Sequence, residues 1–516
     1  MTPVTAYTVV FLASASTLVL EIVAGRILAP FIGVSLYTWT SIIGVVLSGI
    51  SAGNYLGGVL ADRGGSRRVL GLILVGGGLT SFAILPLATP GLTTLVPATY
   101  PGVLRIVLLT ALLFLAPSLL LGMVSPLVVK LTLADLGRTG RVVGRIYAWS
   151  TLGSIVGTFL TGFLLISAFG TRRIVFGVGL LLVGLGVAAG ARPLRRQGRL
   201  SSRKPEIAEG LLLLLVLLQI HLRDGLQSGC YRETDYYCVK VHAERLSDGR
   251  LIRALELDHL IHGYNSLEDP TYLHYGYLRT AAALVDRLGT RTPRLHALFL
   301  GGGAYTFPRY LEAVYPDAVI EVSEIDPAVT RTNFEMMGLD RHTRIVTYNA
   351  DARQVIERML TGRTYDLVFG DAFNDLQVPY HLTTAEFARE IRNLLHRDGI
   401  YLALVVDRMW GGRFLASYVR TLRAVFSHVY VLKDLVQARR PTAQTFLVAA
   451  SLAPIDLTIL RFAAVASAGA RAGAPVPVVP EDLMRQWLDG AAPVLLTDDY
   501  APADNLLAPI FLERGF

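Results

Sequence analysis

Leu298-Phe299-Leu300-Gly301-Gly302-Gly303, followed by Val322-Ser323-Glu324-Ile325-Asp326, decides how the second half of this chain folds. An apolar strand runs into three glycines. The stretch from Thr306 to Tyr315 then reads as a helix, and a second strand ends in an acid. Glu324 lies 21 residues beyond Gly303. Glycines let the backbone approach a ligand, and a carboxylate ending the second strand accepts hydrogen bonds from ribose hydroxyls. A glycine triplet alone also suits a plain tight turn. The strands on both sides and the acid at this distance give the layout of a Rossmann-type nucleoside site.

Working outward, strands and helices alternate from Leu295 to about Ala450. The segments are 295–300, 306–315, 319–323, 327–336, 344–348, 352–360, 366–370, 384–396, 400–406, 412–425, 428–433 and 444–450. Such alternation predicts a parallel, doubly wound sheet, whose ligands bind at the carboxyl ends of its strands. Four strands end in or near acids: Glu324, Asp351, Asp371 and Asp407. Asp351 is placed to accept from an adenine amino group. Asp371, in Phe369-Gly370-Asp371-Ala372-Phe373-Asn374-Asp375, is placed to bind or deprotonate an amine, or to stabilise a developing positive charge. Any one of them could instead cap a helix; the set points to a site. Before the sheet, Tyr236 to His242 and Leu251 to Leu257 read as a β-hairpin turning at Ser247-Asp248-Gly249, and Thr271 to Leu288 as a helix.

The first half is of another kind. Apolar residues make up 52% of the chain and charged ones 17%, too apolar for an ordinary soluble protein. Residues 1–225 carry a net charge of +12 and residues 226–516 one of −4. Apolar stretches at 5–25, 37–61, 69–90, 104–129, 143–169 and 173–191 can each cross a bilayer, which takes about 20 helical residues. Arg63, Arg67 and Arg68 follow the second span, and Lys130, Arg138, Arg141 and Arg145 the fourth. Arg192, Arg195, Arg196, Arg199, Arg203 and Lys204 follow the sixth. The positive-inside rule puts these loops and the N-terminus in the cytoplasm, with Arg172 and Arg173 on the other side. The basic residues are not arranged as a nucleic-acid surface. Leu211 to Ile220 is short for a span and reads as an interfacial or partly inserted helix; a true seventh span would put everything after it outside the cell. Glu21, Arg26, Asn54 and Asp62 are polar residues within or at the ends of spans, where they need partners. Trp39-Thr40-Ser41-Ile42-Ile43-Gly44 faintly echoes Trp149-Ser150-Thr151-Leu152-Gly153, as a three-helix internal repeat would. Cys230 and Cys238 are too few for a disulfide framework, lack a metal-ligand pattern and read as two ordinary thiols. The expected domains are 1–200 (about six spans), 201–225 (basic linker and short helix), 226–285 (small β-domain), 286–455 (catalytic) and 456–516 (helical tail).

These motifs resemble the spermidine synthase (polyamine aminopropyltransferase) family over roughly residues 230–450. The resemblance is carried by Gly301-Gly302-Gly303, Ser323-Glu324-Ile325-Asp326, Ala350-Asp351-Ala352-Arg353 and Tyr365-Asp366-Leu367-Val368-Phe369-Gly370-Asp371. Glu233-Thr234-Asp235-Tyr236-Tyr237, Leu255-Glu256-Leu257-Asp258 and Glu268 to Tyr272 are similar to its small N-terminal domain. With Pro379-Tyr380-His381-Leu382-Thr383-Thr384 and Thr497-Asp498-Asp499-Tyr500, the whole chain looks like the bacterial membrane-fused members. The resemblance implies an adenosyl sulfonium co-substrate, decarboxylated S-adenosylmethionine or S-adenosylmethionine, with no tightly bound cofactor. Gly301, Gly302, Gly303, Glu324, Asp351, Ala352, His262 and Tyr237 would form the donor side. Asp371, Tyr272 and Asp375 would form the catalytic set, with Asp371 facing an amine acceptor. Three departures stand out. The family's acid after the glycine triplet is Ala304, its glutamine is His262, and Ala-Phe-Asn-Asp-Leu-Gln replaces the usual loop after Asp371. Losing the acid at 304 weakens the case for a decarboxylated donor and suits an intact one. His262 and His274 serve either as acid–base groups or as ordinary polar contacts.

The leading expectation is a membrane-integrated aminopropyltransferase-like enzyme that releases methylthioadenosine. One alternative consumes intact S-adenosylmethionine by methyl or aminocarboxypropyl transfer or by cyclisation. Another is a polyamine transporter or sensor that binds the nucleoside without turnover. The expected partners are a small amine and the lipid bilayer, without nucleic acid; self-association is left open. Because either donor is made in the cytosol, the expected place is the bacterial inner membrane with the catalytic domain cytoplasmic.

Overall fold

The computed structural model describes all residues except 90, 97–99, 101, 134–135, 191–228, 290–293, 373–377, 434–443, 459, 461–474 and 514–516. The helix expected at 211–220, the whole 201–225 linker and Asp375 lie outside the described residues. The chain divides into two compact units, Met1–Cys238 and Val239–Arg514.

Among the described residues, the first unit holds six helices long and apolar enough to cross a membrane: Pro3–Ile32, Leu36–Gly64, Arg67–Leu87, Gly102–Thr132, Thr139–Phe169 and Thr171–Gly190. The starts of the first three are set by capping hydroxyls. Thr2, Ser35 and Ser66 accept from the amides of Thr5, Thr38 and Val69 at 3.4, 3.2 and 3.3 Å. Gly33 and Gly170 close two of the helices at φ 70° and 73°. Between apolar helices in lipid, close packing of small residues replaces the hydrophobic drive. The first helix packs on the fifth, the second on the fourth and the third on the sixth. Gly153 and Gly157 lie against the backbone of Phe11 and Ala15, Gly53 and Gly57 against that of Leu119 and Met123, and Gly71 against Gly186. Exchanging the first three helices for the last three leaves this pairing unchanged, as in an inverted repeat. Of the polar residues in the spans, Asp62 meets Lys130 at 3.8 Å, and Arg26 donates to the carbonyls of Thr234 and Tyr236.

The cysteines correct the sequence reading. Cys230 and Cys238 are a disulfide, with Cα atoms 5.3 Å apart. A count of two excludes a framework but does not exclude one bridge, and the chain between them turns back on itself: Thr234 N–H donates to the Tyr237 carbonyl at 2.9 Å. The short strand β1 (Arg232–Glu233) lies in this loop.

The second unit opens with an antiparallel meander, β2 (Cys238–Arg245), β3 (Leu251–Leu257) and β4 (Leu260–Ser266). The expected hairpin gains the third strand through a two-residue turn, in which Asp258 takes the left-handed conformation at φ 58°. Helix Gly276–Gly289 follows. The main sheet contains β5 (His296–Leu300), β6 (Val319–Ser323), β7 (Val346–Tyr348), β8 (Tyr365–Gly370), β9 (Leu395–Asp407), β10 (His428–Lys433) and β11 (Gln444–Ser451). Its order is β10-β11-β9-β8-β5-β6-β7. The first five of these strands in sequence are parallel, as expected, and β11 runs antiparallel to both its neighbours, β9 and β10, which was not. Only 10 residues separate β10 from β11, fewer than a connection between neighbouring parallel strands needs. β5 and β8 are almost fully buried, as strands covered on both faces must be, and their core includes Phe299, Leu367 and Phe369.

Candidate functional site

The carboxyl ends of β5, β6 and β8 converge, and the sequence motifs sit there. Gly301 continues β5 at φ 101° and Gly303 follows at φ 49°, conformations that a side chain resists. A Cβ on Gly301 would also strike the Asp371 carbonyl oxygen. The sheet fixes this approach: Gly301 N–H donates to the Ser323 carbonyl at 2.8 Å, and Asp371 N–H to that of Leu300 at 2.9 Å.

Glu324 locks the loop from β6. Its Oε2 accepts from the amides of Gly302 at 2.9 Å and Gly303 at 3.1 Å, and its Oε1 accepts from Asp326 N–H at 2.9 Å. Burial pushes its carboxyl up, against the pull of these amides. A carboxylate offers about four acceptor sites, so three amides leave room for one hydroxyl. Asp351 caps helix Ala352–Met359, accepting from Arg353 N–H at 3.0 Å and Gln354 N–H at 3.2 Å. Its Oδ2 meets His381 Nε2 at 2.8 Å, and this bond holds the Asp351 carboxyl below its ordinary range. Ala352 is buried beside it.

Asp371 lines a cleft together with the glycine loop, His262 and Tyr277. Burial pushes its carboxyl up to about 6, while the hydrogen bond from Tyr277 Oη at 3.1 Å opposes the shift. Tyr277 stacks on Tyr275, their ring centroids 5.5 Å apart, and Tyr275 donates to the Ile261 carbonyl at 3.0 Å. Tyr264 packs edge-on to Tyr275 at 5.4 Å. A carboxylate beside stacked tyrosine faces can recognise a cation by charge and by cation–π contact. On the other side of the strand ends, Leu300, Gly370, Ala372, Pro379, Leu382 and Tyr401 line an apolar hollow. Adjacent residues such as Gly370 and Asp371 line the two different spaces, as side-chain alternation at a strand end dictates.

The structure therefore gathers Gly301, Gly302, Gly303, Glu324, Asp371 and His262. Tyr272 is placed differently from the orienting role expected of it. Its hydroxyl meets His274 Nδ1 at 3.0 Å and Arg250 lies over its ring at 4.3 Å, whereas Tyr277 takes the place against Asp371. Tyr237 belongs to the first unit, its amide bonded to Thr234 Oγ1 at 2.8 Å. Asp407, among the acids at strand ends, is fully buried, accepts from Arg408 N–H and Leu415 N–H at 2.7 Å each, and holds its own turn. Burial raises its carboxyl to about 6.

Sequence reasoning missed Tyr277, His381 and Asn265. Fully buried Asn265 donates to the carbonyls of Ala304 at 2.7 Å and Met337 at 2.9 Å, fixing the chain just after the glycines. Ala304 is itself buried, and Gly263 is the residue that leaves space for its methyl group. The one signal for Tyr277 was the run Tyr272, Tyr275, Tyr277 ahead of the first strand of the main sheet.

The polyamine aminopropyltransferase of Vibrio vulnificus is 29% identical over 207 residues, 39% of this chain and 62% of that protein. The polyamine aminopropyltransferase of Chromobacterium violaceum is 29% identical over 186 residues, 35% of this chain and 67% of that protein. Over this stretch the chain is similar to polyamine aminopropyltransferases. The match spans less than two thirds of the Vibrio relative's length. No protein-family model matches the chain. A crystal structure of a probable spermidine synthase from Corynebacterium glutamicum superposes with a TM-score of 0.43 at 23% identity, covering 51% of this chain and 95% of that one. Both of these sequence relatives are, by name, transferases.

Proposed function

We propose that the spermidine synthase-like domain transfers an alkyl group from an adenosyl sulfonium co-substrate to a small amine. The observation that carries this reading is Asp371. It is a carboxylate at a parallel-strand end, bonded to Tyr277 and set between the glycine loop and stacked tyrosines. In the proposed reaction Glu324 accepts from the ribose, and the apolar hollow beside Ala372 and Pro379 takes the flat adenine ring. The neutral amine nitrogen attacks the carbon next to sulfur. A C–N bond forms as the C–S bond breaks, and its electron pair neutralises the sulfonium to give the thioether methylthioadenosine. The new ammonium gives up its proton to the Asp371 carboxylate. A carboxyl raised to about 6 is ionised at neutral pH yet basic enough for that transfer. The leaving group is good, so positioning and a base suffice.

A second reading is favoured by Ala304. Where the resemblance places an acid for the donor's ammonium, this chain has a buried methyl group held against Gly263. Nothing at that position repels a donor carboxylate, so intact S-adenosylmethionine is the alternative co-substrate. The first reading is tested with Asp371→Asn. Turnover is expected to vanish while nucleoside affinity, measured by calorimetry, stays within a few-fold. Near-normal turnover in this variant overturns the assigned role.

A further inference from the structure

We propose that Asp498, acting through Arg353, is a positioning residue for the base end of the donor site, and that the turn it braces sets Asp351 to read the 6-amino group of an adenine. The inference rests on the proposed binding of an adenosyl group and deepens it by naming what selects the base.

The turn is Tyr380–Leu382, and it belongs to two parts of the site at once. Pro379, Leu382 and Thr383 line the apolar hollow at the strand ends. His381, among them, meets Asp351 Oδ2 through its Nε2 at 2.8 Å. The other carboxylate oxygen, Asp351 Oδ1, accepts from the amides of Arg353 at 3.0 Å and Gln354 at 3.2 Å. A carboxylate has about four acceptor positions, so these three bonds leave one. A 6-amino group supplies an N–H to fill it, whereas a 6-oxo group brings a lone pair and is repelled. The pairing with His381 therefore fixes both the number and the direction of the acceptors that Asp351 offers.

Arg353 ties the turn down. Its Nη1 donates to the His381 carbonyl at 3.3 Å. The guanidinium is itself held as a fork, Nη1 and Nη2 donating to Asp498 Oδ1 and Oδ2 at 2.8 Å each, a geometry that fixes direction as well as distance. Nη2 and Nε also donate to Glu390 Oε1 at 2.8 and 3.1 Å, and Glu357 Oε1 lies 3.3 Å from Nε.

Asp498 is fixed in turn by the start of helix Ala385–Leu394, which follows the turn. Thr384, the N-cap of that helix, donates through Oγ1 to Asp498 Oδ1 at 2.7 Å. Asp498 N–H donates to Glu386 Oε2 at 3.0 Å, and Ala385 N–H to the Leu496 carbonyl at 2.9 Å. Thr497 and Tyr500 exchange backbone bonds at 3.0 Å and close the segment on itself. The turn is thus held in its middle by Arg353 and at its end by Thr384, and the one carboxylate of Asp498 joins the two. The motif Thr497-Asp498-Asp499-Tyr500, 145 residues beyond Arg353, gains a role that the proposed chemistry does not use.

The charge balance makes the test feasible. Three carboxylates share one guanidinium, so Asp498→Asn leaves Glu390 and Glu357 on Arg353 and relieves their repulsion from a third acid. The fold is expected to survive while the fork is lost. In full-length protein in detergent, the donor KM of Asp498→Asn is expected to rise about tenfold with kcat within about twofold, as for lost binding that is the same in ground and transition states. Calorimetry with methylthioadenosine and its 6-oxo analogue methylthioinosine reads the base directly. The parent is expected to prefer the amino form by about tenfold or more, and Asp498→Asn by about threefold at most. His381→Leu leaves the Asp498–Arg353 fork in place, is expected to lose the same preference, and carries the test if Asp498→Asn unfolds.

Unchanged KM and unchanged preference in the folded variants overturn the inference and leave the proposed reaction standing. A fall in kcat alone, or a parent that binds both nucleosides equally, overturns it too. A parent that binds neither nucleoside overturns the proposed donor site, and this inference with it.

Discussion

Replacing Asp371 with asparagine should make the protein more stable as well as inactive. Burial raises the Asp371 carboxyl from 3.8 to about 6, and at ~1.4 kcal/mol per pH unit the folded state loses up to about 3 kcal/mol when this group ionises. The sign follows from linkage. With the folded value above the unfolded one, the favourable contribution is complete below the unfolded value and lost as pH rises through about 6. Asparagine never ionises and can still accept from the Tyr277 hydroxyl. Because the cleft admits solvent, about 3 kcal/mol is a ceiling. Urea unfolding of full-length protein in detergent between pH 4 and 7.5 measures the gap. The variant should gain on the parent at pH 7.5 and match it near pH 4, with turnover lost throughout. Equal stability at pH 7.5, or a gap that widens toward acid pH, refutes the buried-carboxylate reasoning. Such an exchange of stability for activity is common where a charge is held in a site.

Tyr277→Phe removes a hydrogen bond to a charged acceptor worth ~1.5–3 kcal/mol, so the acid limb of the kcat/KM profile should rise by about 1–2 pH units; an unmoved limb contradicts the pairing. Glu324→Gln should weaken nucleoside binding by roughly tenfold to a hundredfold, the value of a charged hydrogen bond, and calorimetry showing less than a twofold loss contradicts its ribose role. Gly301→Ala forces a side chain into φ 101° and against the Asp371 carbonyl, so a fall in thermal stability of ~1–3 kcal/mol with loss of turnover is expected; wild-type stability would show that the loop is not so confined.

The strand ends were readable because apolar runs, glycines and acids are adjacent in sequence and a parallel sheet brings its strand ends together. Glu324 and Asp371 follow from that geometry. Tyr277 does not, since it is 94 residues from Asp371 and only the docking of helix Gly276–Gly289 sets the pair. The meander's third strand was hidden because Asp258 makes its turn without a glycine. β10 and β11 read as strands, but buried strands look alike whether parallel or antiparallel, so only the length of the link between them spoke to direction. The spans were legible from hydropathy; their pairing through glycines was not, because pairing is a property of facing surfaces. The disulfide was missed because counting cysteines carries no information on whether two of them meet.

Product analysis of purified full-length protein tests the central claim most directly, with each adenosyl sulfonium donor supplied separately, with and without a small diamine. The account predicts methylthioadenosine and an alkylated amine, formed only when donor and amine are both present and absent in Asp371→Asn. No product from either donor, or S-adenosylhomocysteine in its place, would contradict it.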